Sequence, residues 1–432
     1  RHRAQFILSV CVCVVVQVVS IMGCSNSSHG SGSGERTEPV NRFACKYALG
    51  KKFGSGTLAQ IRTVVVDLFP SAKIEKAVKI IETRGDRTFT AEMEGMLWKA
   101  VCCHRNIVEL HECFIGAPLS YMVMEKCSCL MLHLLQAPLA TEREFGKVFS
   151  QMLFGLGHVH SFGVVHCDVK LGSFMIGDDG VTVKLYDFGS STRLNPKEVA
   201  FKLKGTAPFM CPEMLQHSGY CKKADIWSLG VLVYTFMFGA FPYEAETKGS
   251  ADGMKKAIIE GTPPTFAPVL EGTVDLHNRT VSALEFRSAD AVSFVKCLLD
   301  RWPSQRPSAS EALRTKYIEA VLENRHEQGV DLPTLQPMLL SAEREGAYEM
   351  EKTPCERDSI DSVLLSSGMI EDDACNLQDQ HVHSPVEMDD CKALNFHTSE
   401  FSEISPSTCA SAMASPYTSQ SEFSDSNNTI SL

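Results

Sequence analysis

The 432-residue sequence has no excess of positive charge; its formal net charge is −11 at pH 7. A nucleic-acid binder carries a basic footprint, so that class is set aside. No CxxC pair is present either. The 17 cysteines are odd in number and scattered, with only Cys11/Cys13, Cys102/Cys103 and Cys127/Cys129 close together. That pattern supports neither half a zinc site nor a disulfide framework, and a reduced, cytoplasmic interior is expected. The sequence has no D-x-D-x-D-G loop, which excludes calcium binding by an EF-hand of this chain. It also has no internal repeat. What it has is apolar side chain, 44% of all residues, over a length that accommodates one large two-lobed unit or two to three ordinary domains.

Texture divides the chain into four zones. Residues 1–22 end in an apolar run from Phe6 to Met22. Residues 23–46 begin as a Gly/Ser-rich lead, too polar and small to pack. From Tyr47 to Ala320 strand-like and helix-like stretches alternate between Gly and Pro signals, as a globular domain requires. Residues 325–432 turn acidic and Ser-rich with few aromatics, and are expected to be a disordered tail. Within it, Thr353-Pro354, Ser384-Pro385, Ser405-Pro406 and Ser415-Pro416 have the form of sites for proline-directed kinases.

The amino-terminal zone has competing readings. The apolar run has the composition of a signal or anchor segment but is short for a span. Arg1 and Arg3 before it would keep the short amino end cytosolic and send the globular zone into the lumen. The string Met22-Gly23-Cys24-Ser25-Asn26-Ser27 instead fits the N-myristoylation pattern, provided translation starts at Met22. Residues 1–22 would then not belong to the native chain. One myristoyl chain binds membranes weakly, so Cys24 is the natural site for a second acyl group. The expected location is cytoplasmic, at the cytoplasmic face of a membrane if Gly23 and Cys24 are acylated.

The globular zone opens with Gly54-Ser55-Gly56-Thr57-Leu58-Ala59-Gln60-Ile61. Glycines two apart let backbone amides approach phosphate oxygens, because no Cβ intervenes. Alone, the string fits an ordinary hairpin equally well. Further on, Ala77-Val78-Lys79-Ile80 alternates like a strand and aims one ammonium beneath the loop. There it reaches phosphate, given an acid on a helix to hold it; Glu92 and Glu94 are the candidates.

Ordered strings follow: His166-Cys167-Asp168-Val169-Lys170, Asp187-Phe188-Gly189, the segment from Gly205 through Pro212-Glu213, Asp225-Ile226-Trp227-Ser228-Leu229-Gly230, and Asp300-Arg301 through Arg306-Pro307. In this order they resemble the catalytic loop, the metal-binding DFG, the APE region and the later anchors of eukaryotic-type protein kinases. The resemblance spans about 47–320 and is greatest to the calcium/calmodulin-dependent kinase group. It implies an α+β, two-lobed protein kinase fold with a small β-rich N-lobe and a larger helical C-lobe.

The resemblance also implies roles. Asp168 orients the attacking hydroxyl and accepts its proton, and Lys170 neutralises charge on the transferring phosphoryl. Asp187 binds Mg²⁺, while Lys79 with Glu94 fixes the ATP phosphates. Glu94 is preferred to Glu92 by its distance from His104-Arg105-Asn106-Ile107-Val108. The nucleotide site is completed by Gly54, Gly56, Ala59, Ile61 and Ala77, with Met124 as gatekeeper and Glu125 and Cys127 meeting the purine edge. Glu213 and Arg306 resemble the buried ion pair that locks the activation segment to the C-lobe, and Asp225 resembles the helix-F anchor. Lys170 and Gly205-Thr206 point to serine/threonine substrates on proteins, with ATP and Mg²⁺ as cofactors.

The pattern is broken in places. Ala59 replaces the third loop glycine. Cys167 stands where many kinases have arginine, so a phosphate on the activation segment lacks its bidentate partner, and activity independent of such a phosphate is expected. Ser173 replaces the asparagine that supplies a second metal ligand, which predicts a loosely held metal. Cys127-Ser128-Cys129-Leu130 lacks an acid to meet the ribose, and Gly172 replaces a frequent acidic substrate contact. Two functions follow as candidates: an active serine/threonine kinase, for which Lys79, Asp168, Lys170 and Asp187 speak, and a pseudokinase scaffold, for which Ser173 speaks.

Overall fold

The computed structural model describes residues 39–55, 59–68, 72–85, 87–131, 141–238, 240–247, 250–261, 264–266, 287–323 and 358–370. The acylation site, Gly56 and the four Ser/Thr-Pro sites lie outside them.

After a short helix α1 (Pro39–Ala44), the amino-terminal lobe is an antiparallel sheet of β1 (Ala48–Ser55), β2 (Ala59–Leu68), β3 (Ala72–Glu82), β4 (Leu110–Phe114) and β5 (Leu119–Met124), in the order β1-β2-β3-β5-β4. Helix α2 (Arg87–Val101) links β3 to β4. The strands' period of two sorts their side chains onto two faces. Ala77 on β3 and Met122 and Met124 on β5 turn inward to the main core, whereas Val78, Ile80, Leu119, Tyr121 and Val123 form a second cluster on the outer face. Helix α2 buries Ala91, Glu94, Leu97, Trp98 and Val101. That i, i+3, i+4, i+7 spacing gives one inward stripe, and the Trp98 indole donates to the Val108 carbonyl at 2.8 Å.

The carboxy-terminal lobe is helical. Strand β6 (Cys129–Leu130) leads toward α3 (Glu142–Ser161), which starts on a capping box: Glu144 N–H donates to the Thr141 hydroxyl and Thr141 N–H to the Glu144 carboxylate. Short strands follow: β7 (Val164–Val165), β8 (Phe174–Ile176), β9 (Val183–Leu185) and β10 (Thr192–Arg193). Next come α4 (Pro212–Leu215), α5 (Lys223–Phe238), α6 (Ala251–Glu260), α7 (Ala289–Leu298), α8 (Ala309–Ala312) and α9 (Lys316–Leu322). Helix α5 is buried on all sides, the behaviour of a helix apolar around its whole circumference. It is the post around which the lobe packs.

The tail departs from expectation. Within 325–432, expected to be disordered throughout, Asp358–Ser366 forms helix α10, lying against the outer face of the amino-terminal sheet. Ile360 and Leu364, four residues apart, are both buried there. Average composition hides so short an amphipathic pattern.

Candidate active site

The site lies in the cleft between the lobes. Lys79 on β3 donates to Glu94 Oε1 at 2.7 Å and to Asp187 Oδ1 at 2.6 Å. Glu94 is buried on α2, while Glu92 faces out. The helical period explains the choice: two residues along α2 is about 200° of rotation, so both acids cannot face the sheet. Burial opposes the ammonium charge of Lys79, but the carboxylates of Asp187 and Glu94 outweigh it and raise its pKa. Burial likewise pushes Glu94 up. For Asp187 burial is overcome by the charge and hydrogen bond of Lys79, and its pKa falls to about 2. The cleft therefore holds an ionised carboxylate beside a fixed cation.

Asp187 sits at φ 68°, in the left-handed region disfavoured for residues with a Cβ. Phe188 after it is buried and stacks on Trp98 of α2 at 6.0 Å between ring centroids and meets His166 edge-on at 5.2 Å. This packing fixes the aspartate's backbone while its side chain faces the cleft.

In the catalytic loop Lys170 donates to Asp168 Oδ2 at 2.9 Å and to the Thr206 hydroxyl at 2.9 Å, and that hydroxyl donates to Asp168 Oδ1 at 2.8 Å. The three side chains close a ring that joins the loop to the activation segment. Gly205 makes the approach possible. Its φ is +92°, and a Cβ there would lie 2.4 Å from the Cys167 carbonyl oxygen.

The loop is held from below by Asp225 on α5. Its oxygens accept the amides of His166 and Cys167, each at 2.8 Å, and His160 Nε2 lies 2.8 Å from Oδ2. Cys167 is itself left-handed, at φ 66°, a conformation that persists only where its surroundings enforce it. His160 is thus a polar support of the loop.

The hinge carries Met124, buried and opposite Ala77 on the neighbouring strand. The Glu125 carboxylate accepts from the Glu109 amide at 2.7 Å and from Lys184 at 2.8 Å. Cys127 is buried. Above the cleft, Gly54 pairs with Ile61 and Ile61 with Lys79 in the β1–β2–β3 register, and Ala59 opens β2.

Ser173 is buried and donates to the Asp168 carbonyl at 2.6 Å. Its hydroxyl braces the catalytic loop in the way an asparagine amide would, with its proton committed to that bond. On the activation segment, the Glu213 carboxylate accepts both Arg306 Nη1 and Nη2 at 2.7 Å.

Two supports of the activation segment were not apparent in the sequence. Lys204 donates to the Ser191 carbonyl at 3.1 Å. Tyr220 exchanges backbone hydrogen bonds with Ala200 and donates its hydroxyl to the Lys202 carbonyl at 2.7 Å. Neither residue belongs to a motif; their roles depend on contacts between segments distant in sequence.

A lysine joined to two acids across a sheet, helix and loop, beside an aspartate–lysine pair, defines the class of two-lobed phosphotransfer folds. Comparison with known proteins narrows it: the family model described as the protein kinase domain matches residues 47–318, and the chain belongs to that family. It is 30% identical over 291 residues to CDPK-related kinase 8 of Arabidopsis thaliana, covering 66% of this chain and 44% of that one. It is 28% identical over 298 residues to calcium/calmodulin-dependent serine/threonine-protein kinase 1 of Oryza sativa subsp. japonica, covering 65% of this chain and 45% of that one. The chain thus spans under half the length of these relatives. Among solved structures, the autoinhibited serine kinase domain of the giant muscle protein titin aligns with a TM-score of 0.57 and 25% identity, over 72% of this chain and 89% of that one.

Proposed function

We propose that the chain is a serine/threonine protein kinase that transfers the γ-phosphate of ATP to protein hydroxyls. The observation that carries this reading is the simultaneous bonding of Lys79 to Glu94 and Asp187, which assembles the phosphate-handling groups of both lobes at one point. Asp168 stands ready to orient a substrate hydroxyl and take its proton. Lys170, already on Asp168, places positive charge where the transferring phosphoryl would pass. Such catalysis is mainly positioning and electrostatics.

Asp187 would hold Mg²⁺, which would supply neutralisation of the charge on the ATP phosphates. Asp187 fits that role, since it stays ionised and keeps 35% of its side-chain surface exposed. Ser173 fits it less well, because its neutral hydroxyl is shorter than an asparagine side chain and a poorer ligand than an amide carbonyl oxygen. Serine/threonine preference is supported by the bonds of Lys170 and Thr206 to Asp168. Acylation at Gly23 and Cys24, with a location at the cytoplasmic face of a membrane, is a further part of this proposal and rests on the sequence alone.

The direct test measures γ-phosphate transfer from ATP–Mg²⁺ to a degenerate Ser/Thr peptide library. Transfer by the wild type that disappears in Asp187→Asn supports the enzyme. Ser173 favours a second reading, a scaffold with a kinase fold. An inactive wild type, with transfer gained in Ser173→Asn, would select it.

A further inference from the structure

Arg62 on β2 is a buried cation, with its side chain 3% exposed, on the outer face of the amino-terminal sheet and away from the cleft. Its Nε donates to Gln60 Oε1 at 2.9 Å and its Nη1 to the Gly50 carbonyl at 3.2 Å, both neutral acceptors. The carboxylate it meets among the described residues comes from Asp361, almost 300 residues later, 3.0 Å from Nη2. The same carboxylate accepts from Lys52 on β1 at 3.1 Å and from Gln60 at 3.2 Å. Asp361 thus ties together the two strands of the phosphate-loop hairpin. Removing it would leave a buried guanidinium without its counter-charge, a costly state.

The apolar contacts agree with the charges. Ile360 and Leu364 of α10 complete the cluster of Val64, Val78, Ile80, Tyr121 and Val123, and Leu364 has no exposed surface. The helix also has a built stop. Gly368 is left-handed at φ 67°, its amide donates to the Leu365 carbonyl, and the Met369 amide donates to the Leu364 carbonyl. This is the Schellman arrangement. It sets Met369 where the Tyr121 hydroxyl reaches its sulfur at 3.6 Å.

We propose that the outer face of the amino-terminal sheet is a binding site for an acidic amphipathic helix, occupied by residues 358–370 of the same chain, and that its occupation stiffens the β1–β2 hairpin. Charge complementarity selects this occupant: Asp361 answers Lys52 and Arg62 on the sheet. On the kinase reading given above, the hairpin strands carry Gly54 and Ala59 of the nucleotide site, so tail docking would also bear on nucleotide affinity.

Amide hydrogen exchange on the full chain tests this without nucleotide, so the outcome does not depend on the kinase reading. In the wild type, amides of 360–369 and of the β1–β2 strands are expected to be protected at all protein concentrations. Leu364→Asp and Asp361→Lys should each speed exchange in both regions by about tenfold or more, with α5 unchanged. A synthetic peptide of residues 356–372 in excess should restore protection of the β1–β2 strands in Leu364→Asp. Free-peptide exchange rates at 360–369 in the wild type would overturn the proposal. So would β1–β2 protection that ignores both substitutions, or tail protection that fades on dilution, since the last would assign the site to the tail of a second copy.

Discussion

Ser173 shows how much one side chain can keep while giving something up. Its hydroxyl retains the brace on the Asp168 carbonyl, so the catalytic loop keeps its shape, but it is shorter than an asparagine amide and a poorer metal ligand. Ser173→Asn is therefore expected to lower the Mg²⁺ concentration giving half-maximal transfer. Its effect on rate should be about tenfold, equivalent to about 1.4 kcal/mol of barrier; a magnesium titration of both proteins checks this. Cys167 presents the opposite case, a thiol that cannot give a phosphate the bidentate partner an arginine supplies. The activation segment is instead tied down by Lys204 on the Ser191 carbonyl and Tyr220 on the Lys202 carbonyl. Replacing Ser190, Ser191 and Thr192 together by Ala should leave most activity, because Lys204 and Tyr220 hold the segment through backbone carbonyls that the substitutions keep. Lys204→Met should raise the KM for peptide more than it lowers kcat, with partial rescue in Lys204→Arg; equal effects on both constants would argue against a positioning role. The sequence motifs exposed Lys79, Asp168, Lys170 and Asp187 as candidates because their chemistry requires fixed residue types at nearly fixed spacing. Lys204, Tyr220 and His160 were not legible, since any polar group of suitable reach can make a bond to a backbone carbonyl or a carboxylate.

Among the elements, the strands of the amino-terminal lobe were the most legible. Ala77-Val78-Lys79-Ile80 alternates visibly, and in the sheet Ala77 and Val78 take opposite faces, one toward each hydrophobic cluster. Helix α10 was the least legible, because its amphipathic stripe is short and its partner face belongs to strands about 300 residues earlier. The activation segment depends on another such distant partnership. Arg306 lies over the Trp227 ring at 4.9 Å and forks onto Glu213, with both side chains almost wholly buried. A pair of this kind contributes little over an apolar replacement, yet breaking it strands one charge in the interior. Glu213→Ala should thus cost about 3–5 kcal/mol of stability, whereas the double change Glu213→Leu with Arg306→Met should cost much less. Urea unfolding of the three proteins gives the comparison, and equal losses in single and double variants would mean that shape, not charge, holds this corner.

At the scale of the whole molecule, Asp225 gathers the pieces. It stands in the first turn of the all-buried helix α5, accepts two catalytic-loop amides and meets His160 at the end of α3. One carboxylate thereby joins the central post of the lobe, the helix beside it and the loop that carries Asp168. Its burial raises the pKa, but the hydrogen bond and charge of His160, the charge of His166 and the His166 amide bring it below the ordinary value of 3.8. A folded-state value lower than the unfolded one means that the unfolded chain binds the proton more readily. The resulting stability is present in full above 3.8 and is lost as pH falls from there through the lower folded value. Asp225→Asn removes the titration while keeping the size of the side chain. The wild type should therefore exceed the variant in urea midpoint at neutral pH, and the gap should narrow as pH falls through and below about 3.8. A gap that stays constant over that range would show that the variant is weakened by its altered hydrogen-bond geometry alone, and that the charge of Asp225 does not hold the lobe together.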